Sequence, residues 1–295
     1  MKFVICDDGV TPVSSHTPPV TAGLGCHQYR DERRPMQTLT RDNVKLAFVE
    51  SGTGDPPLLF VHCWGCDHTF FAPQFDHFGR RHRAIAVDLR GHGASDKPQQ
   101  DYTLSTFAAD LIWTCEQLEL ERPVVIGHSM GGNTAVELAA RYPDFAAAIV
   151  MIDSVIVPPP ALAEALREAA PALRGPDFRE VVRNVAQGVT LSTDDPVRTR
   201  RLVEVMASSP QHVMSSAFEN HLIEWDGASA LKACRVPALY IAAANPITDL
   251  QAMKDLCPQL MVGQTVGAGH FNLQEVPEQV NAMIERFLKL ADLGA

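Results

Sequence analysis

No stretch of 18 or more apolar residues occurs in this chain, so no transmembrane helix is expected. There is also no run of Lys or Arg long enough to form a basic stripe. The 25 basic residues are outnumbered by 35 acidic ones, a formal charge of −10, so neither nucleic acid nor an anionic membrane surface is an expected partner. The opening residues MKFVICDDGV lack the apolar core of a signal peptide, because Asp7 and Asp8 break a four-residue apolar run. A cytoplasmic location is therefore the default expectation. Disulfide-framework spacing is missing too: Cys6, Cys26, Cys63, Cys66, Cys115, Cys234 and Cys257 are odd in number and irregularly placed, which fits mostly free thiols. Internal repeats are absent.

What is there is an ordinary globular composition, 46% hydrophobic and 20% charged, in 295 residues, enough for one large core with a subdomain inserted in it. Residues 1–36 are rich in Pro, Thr, Ser and Gly without periodicity and read as an irregular extension. After them the chain alternates. NVKLAFVES, PLLFVH, RAIAVDL, PVVIGHS, AAIVMIDS, PALYIAA and LMVGQTV read as strands, while TLSTFAADLIWTCEQL, NTAVELAARYP and EQVNAMIERFLKLA read as helices. This order predicts an α/β fold with a mostly parallel sheet covered on both faces. The interval 157–232 breaks the rhythm. It opens on Pro158, Pro159 and Pro160 and continues with helical segments such as ALAEALREAA, FREVVRNVAQG and VRTRRLVEVMAS, predicting a helical cap at the strands' C-terminal edge, where ligands bind in open α/β sheets. The core is then expected over 37–156 and 233–295.

The sharpest motif is Gly127-His128-Ser129-Met130-Gly131, a G-x-S-x-G between a strand and a helix. Such a turn is tight enough to strain the serine, and only small neighbours let the chains pass. The hydroxyl is lifted clear at a helix N-terminus, whose dipole favours negative charge. The plainer alternative is a glycine-rich turn holding an ordinary serine.

With these residues the chain resembles the α/β-hydrolase superfamily over about residues 38–292. VHCWG at 61–65 stands in the place of the family's His-Gly loop, and DLRGHGASDKP at 88–98 matches its loop-shaping segment. GHSMGG matches the nucleophile elbow and VGAGHFNLQEVPEQV the usual histidine region. The resemblance implies Ser129 as nucleophile, His270 as base, and an oxyanion hole from the backbone N–H of Met130 with that of Trp64 or Cys63. Cys63 departs from the family's usual glycine. His270 is also the best placed of eleven histidines by position, in the loop GAGH after a strand and before the last helix. The cluster His62, Cys63, Cys66 and His68 raises zinc or redox chemistry as alternatives. A second C-x-x-C is absent, so the expectation is buried thiols in an oxyanion loop, with no metal and no cofactor.

The acid is what the sequence lacks where the family usually has it. Aligning Pro246-Ile247-Thr248 puts Ala244 or Asn245 at that point, and neither can carry a negative charge. Asp153, at the end of AAIVMIDS, is preferred, because relatives such as the zearalenone-type lactone hydrolases resemble this chain in a relocated acid. Asp249, which has the position of a helix cap, and Asn245, which could orient a histidine more weakly, remain alternatives. The leading expectation is an ester or lactone hydrolase working through an acyl-serine on a small-molecule substrate. A cofactor-free dioxygenase, a carbon–carbon bond hydrolase using the same His/Asp pair and a non-catalytic small-molecule receptor stay open beside it.

Overall fold

The computed structural model describes residues 35–293. The expected extension over 1–36 falls almost wholly outside them, as do Cys6 and Cys26. β1 (Gln37–Arg41) and β2 (Val44–Ser51) form an antiparallel hairpin. Its turn residues Asp42 and Asn43 have φ of 50° and 61°, the left-handed pair that a two-residue hairpin turn requires and that Asp and Asn tolerate best. β3 (Leu58–Val61), β4 (Ala84–Asp88), β5 (Val124–His128), β6 (Ala148–Ile152), β7 (Ala238–Ala242) and β8 (Leu260–Gln264) complete one eight-stranded sheet in the order β1-β2-β4-β3-β5-β6-β7-β8. Every pair from β4 to β8 is parallel, and only β1–β2 and β2–β4 are antiparallel.

The central strands β3 to β7 are buried on both faces because they are continuous apolar runs rather than alternating ones. In β5, Val124 and Ile126 join a layer with Phe60, Phe75, Ile284 and Phe287, while Val125 points into the opposite layer with Phe107, Leu111 and Leu138. α1 (Ala72–Phe78) and α11 (Pro277–Leu290) cover the first face, whereas α2 (Leu104–Gln117) and α3 (Met130–Arg141) cover the second. Each start is signalled locally. Thr103 caps α2 by accepting the N–H of Thr106 at 3.1 Å, and Pro stands in the first turn of α1 and α11.

β6 and β7 are neighbours in the sheet, yet residues 153–237 separate them in sequence. That interval holds α4 (Pro160–Ala169), α5 (Phe178–Gly188), α6 (Pro196–Ser208), α7 (Gln211–Leu222) and α8 (Gly227–Ala233), with no strand among its residues. α5 packs on α6, and α8 packs on α3. α9 (Leu250–Leu256) and the short α10 (Asn272–Glu275) close the chain order. Among the described residues no helix is long and apolar enough to cross a membrane.

Candidate active site

The sheet delivers the candidate side chains where strands end. β5 stops at His128, α3 begins at Met130, and Ser129 between them has φ 53° and ψ −117°. That conformation costs a non-glycine residue about 1–3 kcal/mol, so the surroundings must over-determine it. They do: a Cβ on Gly127 would come within 2.1 Å of Gly131 O, and one on Gly131 within 2.0 Å of Val61 O. Only glycine fits at either position, which explains the spacing of the motif. Ser129 is half-buried, and among the described residues its hydroxyl has no hydrogen-bond partner.

His270 lies in the loop between β8 and α10, 8% exposed, with its ring 4.6 Å from that of His128 and 5.3 Å from Phe271. Its Nδ1 is 2.8 Å from Asp153 Oδ2. Asp153 follows β6 with φ 41° and is 1% exposed. The second carboxylate oxygen accepts the N–H of Ala243 at 3.0 Å. A carboxylate can only accept, so Nδ1 carries the proton and Nε2 is left as the basic nitrogen. The His270 backbone is held as well, its N–H donating to Val189 O at 2.9 Å and its carbonyl accepting from His128 Nε2 at 2.9 Å.

The two alternative acids lie elsewhere. Asp249 is exposed and caps α9, its Oδ1 accepting the N–H groups of Gln251 and Ala252 at 3.0 Å each. Asn245 is exposed, and neither residue hydrogen-bonds to His270.

On the other side of the elbow, residues 62–66 leave the end of β3. Among the described residues, the backbone N–H groups of Trp64 and Met130 donate to no acceptor. The loop is shaped by His62, whose Nδ1–H donates to Cys63 O at 2.8 Å while Nε2 accepts the N–H of Leu89 at 3.0 Å. Burial holds this ring below the ordinary histidine range and hence neutral. His68 is engaged differently, its Nδ1 lying 2.8 Å from Asp88 Oδ1. Both histidines of the 62–68 cluster therefore use a ring nitrogen away from the thiols, and no group of three potential ligands suited to a metal ion occurs among the described residues. The sulfurs of Cys63 and Cys66 are buried 2.8 Å apart. Burial raises both thiols, but the hydrogen bond from Cys66 and nearby His128 outweigh it at Cys63, which is held below the ordinary thiol range while Cys66 stays above it.

An apolar wall faces this loop. The Trp64 indole donates to Met214 O at 2.9 Å, its ring packs against Phe218 at 5.3 Å, and Met206 and Met214 crowd Gly65. Trp64, Phe218, Met206 and Met214 are buried.

Three residues at the site were not singled out from sequence. His128 filled only the variable place of the motif, yet it holds the His270 carbonyl. Val189 and Asp194, between α5 and α6, meet the histidine loop through Val189 O and the Asp194 carboxylate. No local pattern distinguishes these two, because their partners lie about eighty residues away.

A family model described as alpha/beta hydrolase fold matches residues 56–191. The chain is similar to 3-oxoadipate enol-lactonase 2 of Acinetobacter baylyi, 27% identical over 85% of this chain and 96% of that protein. Among solved structures it is similar to a thermophilic esterase from Thermogutta terrifontis, with TM-score 0.75 and 26% identity over 88% of this chain and 98% of that one. The enol-lactonase from Burkholderia xenovorans LB400 shares the fold at TM-score 0.77 and 21% identity, over 86% of this chain and 100% of that one. Sheet order, elbow and matched relatives agree across nearly nine-tenths of the sequence: the chain has the α/β-hydrolase fold.

Proposed function

We propose that the protein is a serine hydrolase that cleaves a carboxylic ester or lactone of a small molecule through an acyl-serine intermediate. The observation that carries this is the 2.8 Å hydrogen bond from His270 Nδ1 to the buried Asp153 carboxylate, which leaves Nε2 basic in the same site as a strained, unbonded elbow serine. In this reading His270 Nε2 takes the Ser129 proton as Oγ attacks the carbonyl carbon, and Asp153 stabilises the imidazolium. The oxyanion is held by the backbone N–H of Met130 and that of Trp64 or Cys63. Collapse expels the alkoxide, which takes the proton from His270. Water activated by the same nitrogen then releases the acid. With a lactone the alcohol stays tethered to the acyl group until that second step.

Two features bear on the substrate, bound in this reading under a helical cap formed by residues 157–232. The packed apolar layer of Trp64, Phe218, Met206 and Met214 backs the 62–66 loop, so that side of the site is built from hydrophobic side chains. The relatives named above include an esterase and enol-lactonases. Steady-state hydrolysis of a short p-nitrophenyl ester and of an unsubstituted lactone, each compared with Ser129→Ala, tests the reading. Loss of turnover by at least about 1,000-fold is expected. Full turnover by the serine variant would rule out an acyl-serine.

A further inference from the structure

The segment between α5 and α6 is tied to the histidine loop at every turn. Val189 O accepts the N–H of His270 itself at 2.9 Å. Thr193 Oγ1 donates to Gly267 O at 3.0 Å. Just beyond, the N–H of Asp195 donates to Glu275 Oε2 at 3.1 Å, and Arg198 pairs with the same oxygen at 2.7 Å. At the centre is Asp194, only 6% exposed. Its Oδ1 accepts the N–H of Gly269 at 3.0 Å and its Oδ2 the N–H of Leu191 at 2.8 Å, so one carboxylate bridges strap and loop. No cationic side chain pairs with it among the described residues. A buried charge held only by backbone N–H groups is an expensive way to close a loop, and it fixes the direction of two amides more sharply than a neutral side chain would. Gly269 is what permits the approach, since a Cβ there would lie 2.5 Å from Asp194 Oδ2 and 3.0 Å from Val189 O.

We propose that Asp194 is a positioning residue for the catalytic base: through the strap 189–195 it sets the backbone of Gly269 and His270, so that His270 is in register with Ser129 only while the strap is docked. This rests on the serine-hydrolase reading. His270 is then fixed from three sides, by Val189 at its N–H, by His128 at its carbonyl and by Asp153 at its ring. Asp153 can hold the ring by itself only if the loop brings it within reach. The segment is therefore part of the apparatus that aims the base.

Because a displacement of about 1 Å at a reacting group can cost on the order of 100-fold in rate, Asp194→Ala should lower kcat by about 10- to 100-fold while KM changes by less than about threefold. Asp194→Asn, whose amide oxygen can still accept from Gly269 but whose NH2 cannot accept from Leu191, should fall between the two. It also serves as the isosteric variant should the alanine protein fail to fold. Amide hydrogen exchange at Gly269 and His270 should accelerate in both variants by at least about tenfold, and this reads the strap without any substrate. An unchanged kcat with a raised KM would show a wall of the binding pocket only, and unchanged exchange at His270 would show no clamp. Either result overturns the proposal. Ser129→Ala assayed alongside separates the two levels: full turnover there overturns the acyl-serine reading whatever Asp194 does, whereas an inactive Ser129→Ala beside a wild-type Asp194→Ala overturns only the inference about the strap.

Discussion

At the scale of single residues, two backbone conformations near the sheet's C-terminal edge set up the site. Ser129 at φ 53° and Asp153 at φ 41° each end a parallel strand in the left-handed region, one turning a hydroxyl out and the other turning a carboxylate toward the histidine loop. Asp153→Asn keeps the shape but removes the charge that stabilises an imidazolium and can present the wrong hydrogen-bonding group to Nδ1. We expect kcat to fall by about 100- to 10,000-fold with little change in melting temperature. Asp249→Ala should show the opposite pattern, losing about 1 kcal/mol of stability from the cap of α9 in chemical denaturation while kcat is retained. A loss of activity in the Asp249 variant equal to that in the Asp153 variant would contradict this division. The sequence carries part of this geometry. The empty position at Ala244 and Asn245 directed attention to other carboxylates, and Asp153 is the one whose oxygen meets His270. The parts played by His128, Val189 and Asp194 were not legible, because each depends on a backbone partner distant in sequence.

At the scale of elements, the buried strands and amphipathic helices declared themselves through composition, and their observed bounds lie within a few residues of the expected ones. β1 did not. Its sequence QTLTR is polar and mostly exposed at the sheet edge, so it carries neither the apolar run of the central strands nor a buried face. α7 was not among the helical segments singled out, although it carries Met214 and Phe218 to the wall near Trp64. Its apolar residues Val213, Met214, Ala217 and Phe218 become informative only once their burial is known. Helix caps, by contrast, are local and can be tested locally. Thr103→Ala removes the side-chain acceptor at the start of α2, at the edge of the sheet layer. A loss of about 1 kcal/mol is expected, which lowers the melting temperature by roughly 2–4 °C without altering kcat.

At the scale of the whole molecule, three buried histidines tie the fold to pH. Burial is the largest cause in each: it lowers His62, pushes His92 down to about 3 with His62 adding to the effect, and pushes His221 down to about 4. A histidine whose folded pKa lies below its unfolded value of about 6.5 is neutral in the native protein while the unfolded chain binds the proton. Their contribution is therefore fully present above pH 6.5 and is lost as pH falls toward 4 and then 3, at about 1.4 kcal/mol per pH unit for each group. Urea midpoints measured from pH 7 to pH 4 should fall steadily, and His221→Phe should flatten the slope; an unchanged slope would contradict the assignment. These effects bear on the fold, whereas the central claim concerns chemistry at one oxygen. Its most direct test is intact-mass and peptide mapping of protein quenched during turnover of a p-nitrophenyl ester. The account predicts an acyl adduct on the peptide carrying Ser129, absent from Ser129→Ala and blocked by prior fluorophosphonate labelling; ester turnover with no adduct on Ser129, undiminished in the alanine variant, would contradict it.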